Sequence, residues 1–325
     1  MVTNQMNSKI RLVAAPGSNA ALLWQRSYWQ QYFDVVDFDH DNLNDDGRTA
    51  LIVNYTDVDQ YRNIQLPLIN DHLFDSGPLE PCVVANGILT LRGADWMWIN
   101  EQWGGFDSGY DQQRPPDTPT KFFLMPMNLQ REHRDWLFAG TYQQQQHSIW
   151  SYVAKGTLLP GDTFVPTADH NGTANDRMYL PEWYADTCFS LVSESIMDAT
   201  KYQYGQSPLF VSEKSFKPLA YRHPFVIHGT AFTLKYLRDL GFVTYQSQID
   251  ETYDTIVSAR LRHLAVIDLI ESLYSEFLTH GSVFQSSSAK AIAQHNHDLF
   301  WNRQRVMQLF EKNIVQPITE FIESR

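Results

Sequence analysis

Short apolar runs closed by turn residues alternate along this chain with longer stretches of helical spacing. Residues 10–15, ended by Pro16 and Gly17, read as a buried strand. Ser18 and Asn19 can cap the next segment, 20–33, where Leu22, Leu23, Tyr28 and Tyr32 share a helical face. Residues 34–38 and 50–55 read as further strands. Strand–helix–strand alternation predicts a parallel sheet with helices on its faces.

Residues 95–119 break the rhythm with Trp96, Trp98, Trp103 and Phe106, then Gly104-Gly105, Pro115-Pro116 and Pro119. This stretch reads as an ordered loop or cap leading into a linker at 114–120. Alternation resumes with a strand over 122–127, a helix over 131–142 and a strand over 148–153. A strand over 188–193 follows. Residues 209–211 are extended, Ser212 opens a helix to Tyr221, and 224–227 form a strand ending at His228-Gly229. Thr230 caps a helix over 232–240, Gly241 stops it, and 242–245 form a last strand. From Asp254 the chain reads as helical, with a break at 281–288. The pattern predicts an α/β fold of two Rossmann-like domains facing a cleft. The first spans 1–118, the second 119–280, and C-terminal helices at 281–325 pack across both.

Composition narrows the class. Apolar residues make up 43% of the chain and aromatics 14%, enough to bury a core and exclude disorder. The net charge of −12 excludes a chain-wide basic footprint for nucleic acid, though not a local one such as Arg260, Arg262 and His263. Cys82 and Cys188 are too few for a disulfide framework, and no run of about 18 apolar residues predicts a membrane span. Residues 1–9 lack the apolar centre of a signal peptide, so the sequence predicts a cytoplasmic protein whose sequons at Asn54 and Asn171 are accidental.

Five places carry candidate chemistry. At Ser212-Glu213-Lys214-Ser215 a strand end meets a helix start. The free amides of a first helical turn favour a diphosphate, Lys214 adds a point charge, and Glu213 can accept from a ribose diol. The same residues also suit a plain helix cap. Asn128, Arg131 and Arg134 open the helix after the 122–127 strand, where an arginine can clamp phosphate or simply line a solvated face. Glu194 follows the 188–193 strand at its carboxyl end, the edge where open parallel sheets bind ligands. Asp250, Glu251 and Asp254 can hold a sugar hydroxyl or cap the following helix. Asp37 and Asp39, with Asp41, form an Asp-x-Asp pattern that Mg²⁺ or Mn²⁺ would accept, and also suit an acidic turn. The histidines show no zinc spacing, and neither cysteine has a basic neighbour.

Five motifs stand in an order resembling the donor domain of α-1,3-fucosyltransferase-like GT-B glycosyltransferases, and more closely bacterial and phage glycosyltransferase-like proteins. They are Arg131 to Arg134, Val192 to Glu194, Ser212 to Pro218, His223 to Phe225, and Gly241 to Tyr245 with Asp250 to Asp254, within about residues 121–262. The resemblance implies that Arg134 binds the donor diphosphate, that Glu194 matches the family's Glu-Asn-Ser glutamate, and that Glu213 and Lys214 hold ribose and phosphate. Ser195 and Ser212 stand where the family has asparagine and threonine, and the acids at 250–254 have no fucosyltransferase counterpart, so GDP-fucose does not follow.

The expectation is then a metal-independent, inverting glycosyltransferase with a nucleotide-sugar as co-substrate and no cofactor. Its donor-binding residues are Asn128, Arg134, Glu194, Ser212, Glu213, Lys214, Asp250 and Glu251. Asp95 and Glu101, in the Trp-rich segment, are the candidate bases. The acceptor is a surface glycan, a protein or a modified base in phage DNA. Two alternatives stand beside it: a metal-dependent GT-A enzyme using Asp37 and Asp39, and a non-catalytic nucleotide- or glycan-binding scaffold.

Overall fold

The computed structural model describes residues 9–15, 31–37, 39, 48–53, 65–70, 83–85, 88–90, 118–157, 181–198 and 209–325. The chain divides into two compact units, Met1–Glu101 with Arg303–Arg325, and Gln102–Asn302.

In the first unit six strands form one sheet in the order β2-β1-β3-β4-β6-β5. They are β1 (Ile10–Ala14), β2 (Phe33–Asp37), β3 (Thr49–Val53), β4 (Leu68–Asn70), β5 (Val83–Ala85) and β6 (Ile88–Thr90). All neighbours run parallel except β5 and β6. Every residue of β3 is buried, as expected of a parallel strand covered on both faces. Val13, Leu51, Val53 and Leu68 pack into one cluster with Ala15 and Leu66. Three helical segments close this unit in sequence: α7 (Arg303–Phe310), a π-helical stretch (Glu311–Val315) and α8 (Gln316–Glu323).

The second unit carries four parallel strands in the order β10-β9-β7-β8. They are β7 (Lys121–Met127), β8 (Ile149–Tyr152), β9 (Thr187–Ser193) and β10 (Phe225–His228). All seven residues of the inner strand β9 are buried. The helices are α1 (Glu132–Gly140), α2 (Pro181–Asp186), α3 (Glu213–Ala220), α4 (Thr233–Asp239), α5 (Ala259–His280) and α6 (Ser287–Phe300). Among the described residues no helix is long and apolar enough to cross a membrane. A mixed α/β architecture with two largely parallel sheets is thus present.

Two expectations need correction. Residues 242–245 are not a strand. Asn296 on α6 takes the place of a strand partner: its Oδ1 accepts from Val243 N and its Nδ2 donates to Val243 O, both at 2.8 Å. Phe242 N donates to Leu237 O at 3.0 Å and Tyr245 N to Glu251 Oε1 at 2.6 Å, so these backbone groups too are engaged without a strand partner. Nor does Thr230 cap α4. The N-cap is Phe232, in the left-handed region at φ 67°, and Asp254 accepts from the amides of Leu234 (2.9 Å) and Lys235 (3.1 Å) instead. Thr230 Oγ1 is engaged with Phe210.

Candidate functional site

The carboxyl edge of the second sheet gathers most of the residues singled out from sequence. The β9–β10 register puts His228 beside Ser193, and one more backbone bond, Glu194 N to His228 O at 3.0 Å, extends that ladder to Glu194. The Glu194 side chain is fully buried. Its Oε1 accepts from Ser212 N (3.0 Å) and Ser215 Oγ (2.6 Å). Its Oε2 accepts from Ser212 Oγ (2.5 Å) and Ser195 N (3.3 Å). A buried carboxylate is tolerable only when its lone pairs are taken, and here four donors take them. Gly229 makes room: a Cβ there would sit 3.1 Å from Glu194 Cγ.

This network fixes the start of α3 against the strand ends. Ser212 is the N-cap, and its Oγ accepts from Lys214 N at 3.4 Å and from Lys214 Nζ at 3.3 Å while donating to Glu194. The ammonium of Lys214, half-buried, therefore lies at a helix N-terminus, where the dipole also favours an anion. Glu213 is the first residue of α3; its side chain lies outside the described residues.

Arg134 is 3% exposed, on the first turn of α1. Its Nη1 donates to Leu129 O (2.9 Å) and its Nη2 to Ser193 O (3.3 Å), which ties the β7–α1 loop to the end of β9. Arg131, the N-cap of α1, is exposed, and Asn128 is half-buried with its carbonyl accepting from Ala154 N at 3.0 Å. Arg131 is thus exposed and Lys214 half-buried, whereas Arg134 is buried.

The 250–254 acids are engaged elsewhere. Asp250 is exposed and accepts from Thr252 N at 2.9 Å. Glu251 accepts from Tyr245 N (2.6 Å), Thr244 Oγ1 (2.7 Å) and Arg238 (3.0 Å), which binds the 241–245 turn to α4. Burial raises the Glu251 and Asp254 carboxyls above the ordinary range despite these donors. Asp95 and Glu101 lie outside the described residues. Asp37 ends β2 with its side chain outside them as well, and Asp39 is exposed. Among the described residues no group of three or more His, Cys, Asp or Glu is placed to hold a metal ion.

Sequence reasoning missed a histidine cluster on this edge. His133 on α1 donates from Nε2 to Glu194 O at 2.8 Å, and its ring lies 6.0 Å from that of His228. His228 Nε2 lies 3.1 Å from His263 Nδ1 on α5. Burial lowers all three, His133 to about 4, so the rings are neutral. The local signal was a histidine ending a buried strand, a group that must find a polar partner.

Arg262 and His263 also correct the expectation of a local basic face for nucleic acid. Arg262 is 2% exposed and donates to the carbonyls of Gly229 (2.8 Å), Val257 (3.1 Å), Ile256 and Met197. Its charge is spent joining the loops after β9 and β10 to α5, and of that trio Arg260 alone is exposed.

No protein-family model matches the chain, and no curated protein matches it.

Proposed function

We propose that the chain is a nucleotide-sugar-dependent glycosyltransferase of GT-B architecture whose second unit binds the donor at the carboxyl edge of its sheet. The observation carrying this reading is the Glu194–Ser212–Ser215 network, which holds the N-terminus of α3 and Lys214 beside the ends of β9 and β10. Parallel sheets bind phosphates at this edge, and a fixed ammonium with a helix dipole meets the charge that develops on a departing nucleoside diphosphate. In this mechanism Lys214 touches the leaving diphosphate, Arg131 approaches it from the neighbouring loop, and Arg134 adds charge from beneath. Glu194 acts as a positioning residue. Transfer is a single displacement needing no metal: the acceptor oxygen bonds to the sugar carbon as the bond to the diphosphate breaks, and the hydroxyl proton passes to a carboxylate, for which Asp95 and Glu101 are the candidates; the acceptor is a glycan, a protein or a modified base in DNA.

One observation favours a non-catalytic nucleotide-binding scaffold as a second reading. Arg134 and Glu194, both expected to touch donor, are committed to protein partners. The two readings part on nucleoside diphosphate release from UDP- and GDP-sugars offered with mixed glycan acceptors in the presence of EDTA. The enzyme reading requires release that Lys214→Ala reduces at least a hundredfold, about 2.7 kcal/mol of transition-state stabilisation. Nucleotide binding with no release from any donor would leave the scaffold.

A further inference from the structure

Phe232 follows the end of β10 and opens α4 with its backbone in the left-handed region, at φ 67°. A residue that opens a helix ordinarily has extended backbone, and a bulky aromatic is strained on the left-handed side. Glycine would take this place without strain. Burial of the ring does not account for its presence, since Phe232 stays 40% exposed.

The strained turn is held from several sides. Asp254 O accepts from Phe232 N at 2.7 Å, and the buried Asp254 carboxylate accepts from Leu234 N and Lys235 N. Phe232 O accepts from Tyr236 N at 3.0 Å, and Thr230 O accepts from Thr233 Oγ1 at 2.8 Å. Backbone strain that its surroundings over-determine collects at ligand sites. The loop carrying Phe232 also borders the donor edge. Gly229 lies against Glu194, where a Cβ would come within 3.1 Å of Glu194 Cγ. Thr230 Oγ1 accepts from Phe210 N at 3.0 Å and donates to Phe210 O at 3.3 Å. Phe210 leads directly into Val211 and Ser212, the cap to which Lys214 Nζ is bonded.

We propose that Phe232 stacks on the base of the nucleoside diphosphate held by Lys214. The inference deepens the donor reading given above and rests on it. A phenyl ring has no hydrogen-bonding group to aim, so it acts through its face, and every nucleobase offers a matching π surface. The diphosphate has no such surface and meets Lys214 and the start of α3 instead. Base and diphosphate are therefore held by different residues, and their contributions separate by substitution.

Calorimetric titration of the full chain with UDP, GDP and inorganic diphosphate tests it, in the native sequence and in Phe232→Gly, Phe232→Tyr and Lys214→Ala. Phe232→Gly is expected to weaken nucleoside diphosphate binding about tenfold, the loss of one base–aromatic stack, and to leave inorganic diphosphate unchanged. Its Tm holds or rises, because glycine relieves the left-handed backbone. Phe232→Tyr keeps the ring and the affinity, while Lys214→Ala weakens both ligands. Unaltered nucleoside diphosphate affinity in Phe232→Gly, with loss in Lys214→Ala, would overturn the stacking and leave the donor reading standing. A fall in Tm with equal weakening of inorganic diphosphate in Phe232→Gly would overturn it too, by making the ring a packing group. No binding of UDP or GDP by the native chain would overturn both.

Discussion

Glu194 and Lys214 stand in one hydrogen-bonded group through Ser212, yet their substitutions should separate cleanly. Glu194→Gln places an amide NH2 among donors that need an acceptor and removes charge from four hydrogen bonds. Urea unfolding should show a loss of about 2–4 kcal/mol. Lys214→Ala removes a half-buried side chain from a cap that keeps Ser212, so its stability should change by about 0.5 kcal/mol or less while nucleotide affinity falls. A stability loss in Lys214→Ala as large as that in Glu194→Gln would make the lysine structural. Each residue was visible in sequence as a strand-end acid or a helix-start cation, with a bland reading available for each. Their union was not visible, because Glu194 and Ser212 lie 18 residues apart and only the paired strands bring them together. The same limit hid the burial of Arg134, since a carbonyl that satisfies an arginine leaves no mark on composition.

Elements were legible where period and punctuation agreed. The apolar runs around β1, β3, β7, β9 and β10 end in turn residues, and each is a strand within a residue or two of its expected bounds. Gly241 follows α4 at φ 98°, where a side chain would be strained. The failure at 242–245 came from an apolar run whose backbone is satisfied by a side chain, a contact across 53 residues. Asn296→Ala should therefore cost about 1–3 kcal/mol by stranding Val243 N–H and C=O. Hydrogen exchange should show faster opening of the Val243 amide, with no change in nucleotide affinity. Unaltered protection of that amide would mean that Asn296 does not hold the turn. The misassigned cap of α4 has a similar origin. A Thr at the expected place suggested a local cap, but Asp254 caps the helix from 20 residues away.

At the scale of the whole molecule, buried histidines set the acid limit of stability. Burial holds His133 and His223 to about 4 and lowers His228 well below its ordinary value. The folded state therefore binds fewer protons than the unfolded chain, whose histidines titrate near 6.5. Their contribution is complete above about pH 6.5 and is lost as pH falls toward 4, by up to ~1.4 kcal/mol per pH unit for each histidine. Glu251 and Asp254, raised by burial, act with the opposite sign and offset part of the loss. Unfolding free energy should still drop clearly between about pH 7 and pH 5; a flat profile would mean that these rings are not neutral inside the fold.

The central claim is that the carboxyl edge of the second sheet binds a nucleoside diphosphate through Lys214 and the start of α3. Thermal denaturation of the full chain with UDP, GDP or CMP, with and without EDTA, in the native sequence and in Lys214→Ala, tests it most directly. At a hundredfold excess over Kd, binding to the folded state contributes about 2.7 kcal/mol, enough to raise Tm by roughly 5 °C or more. The account predicts such a rise with one of the two nucleoside diphosphates, indifferent to EDTA and lost in Lys214→Ala. No rise with either diphosphate, or an undiminished rise in Lys214→Ala, would contradict it.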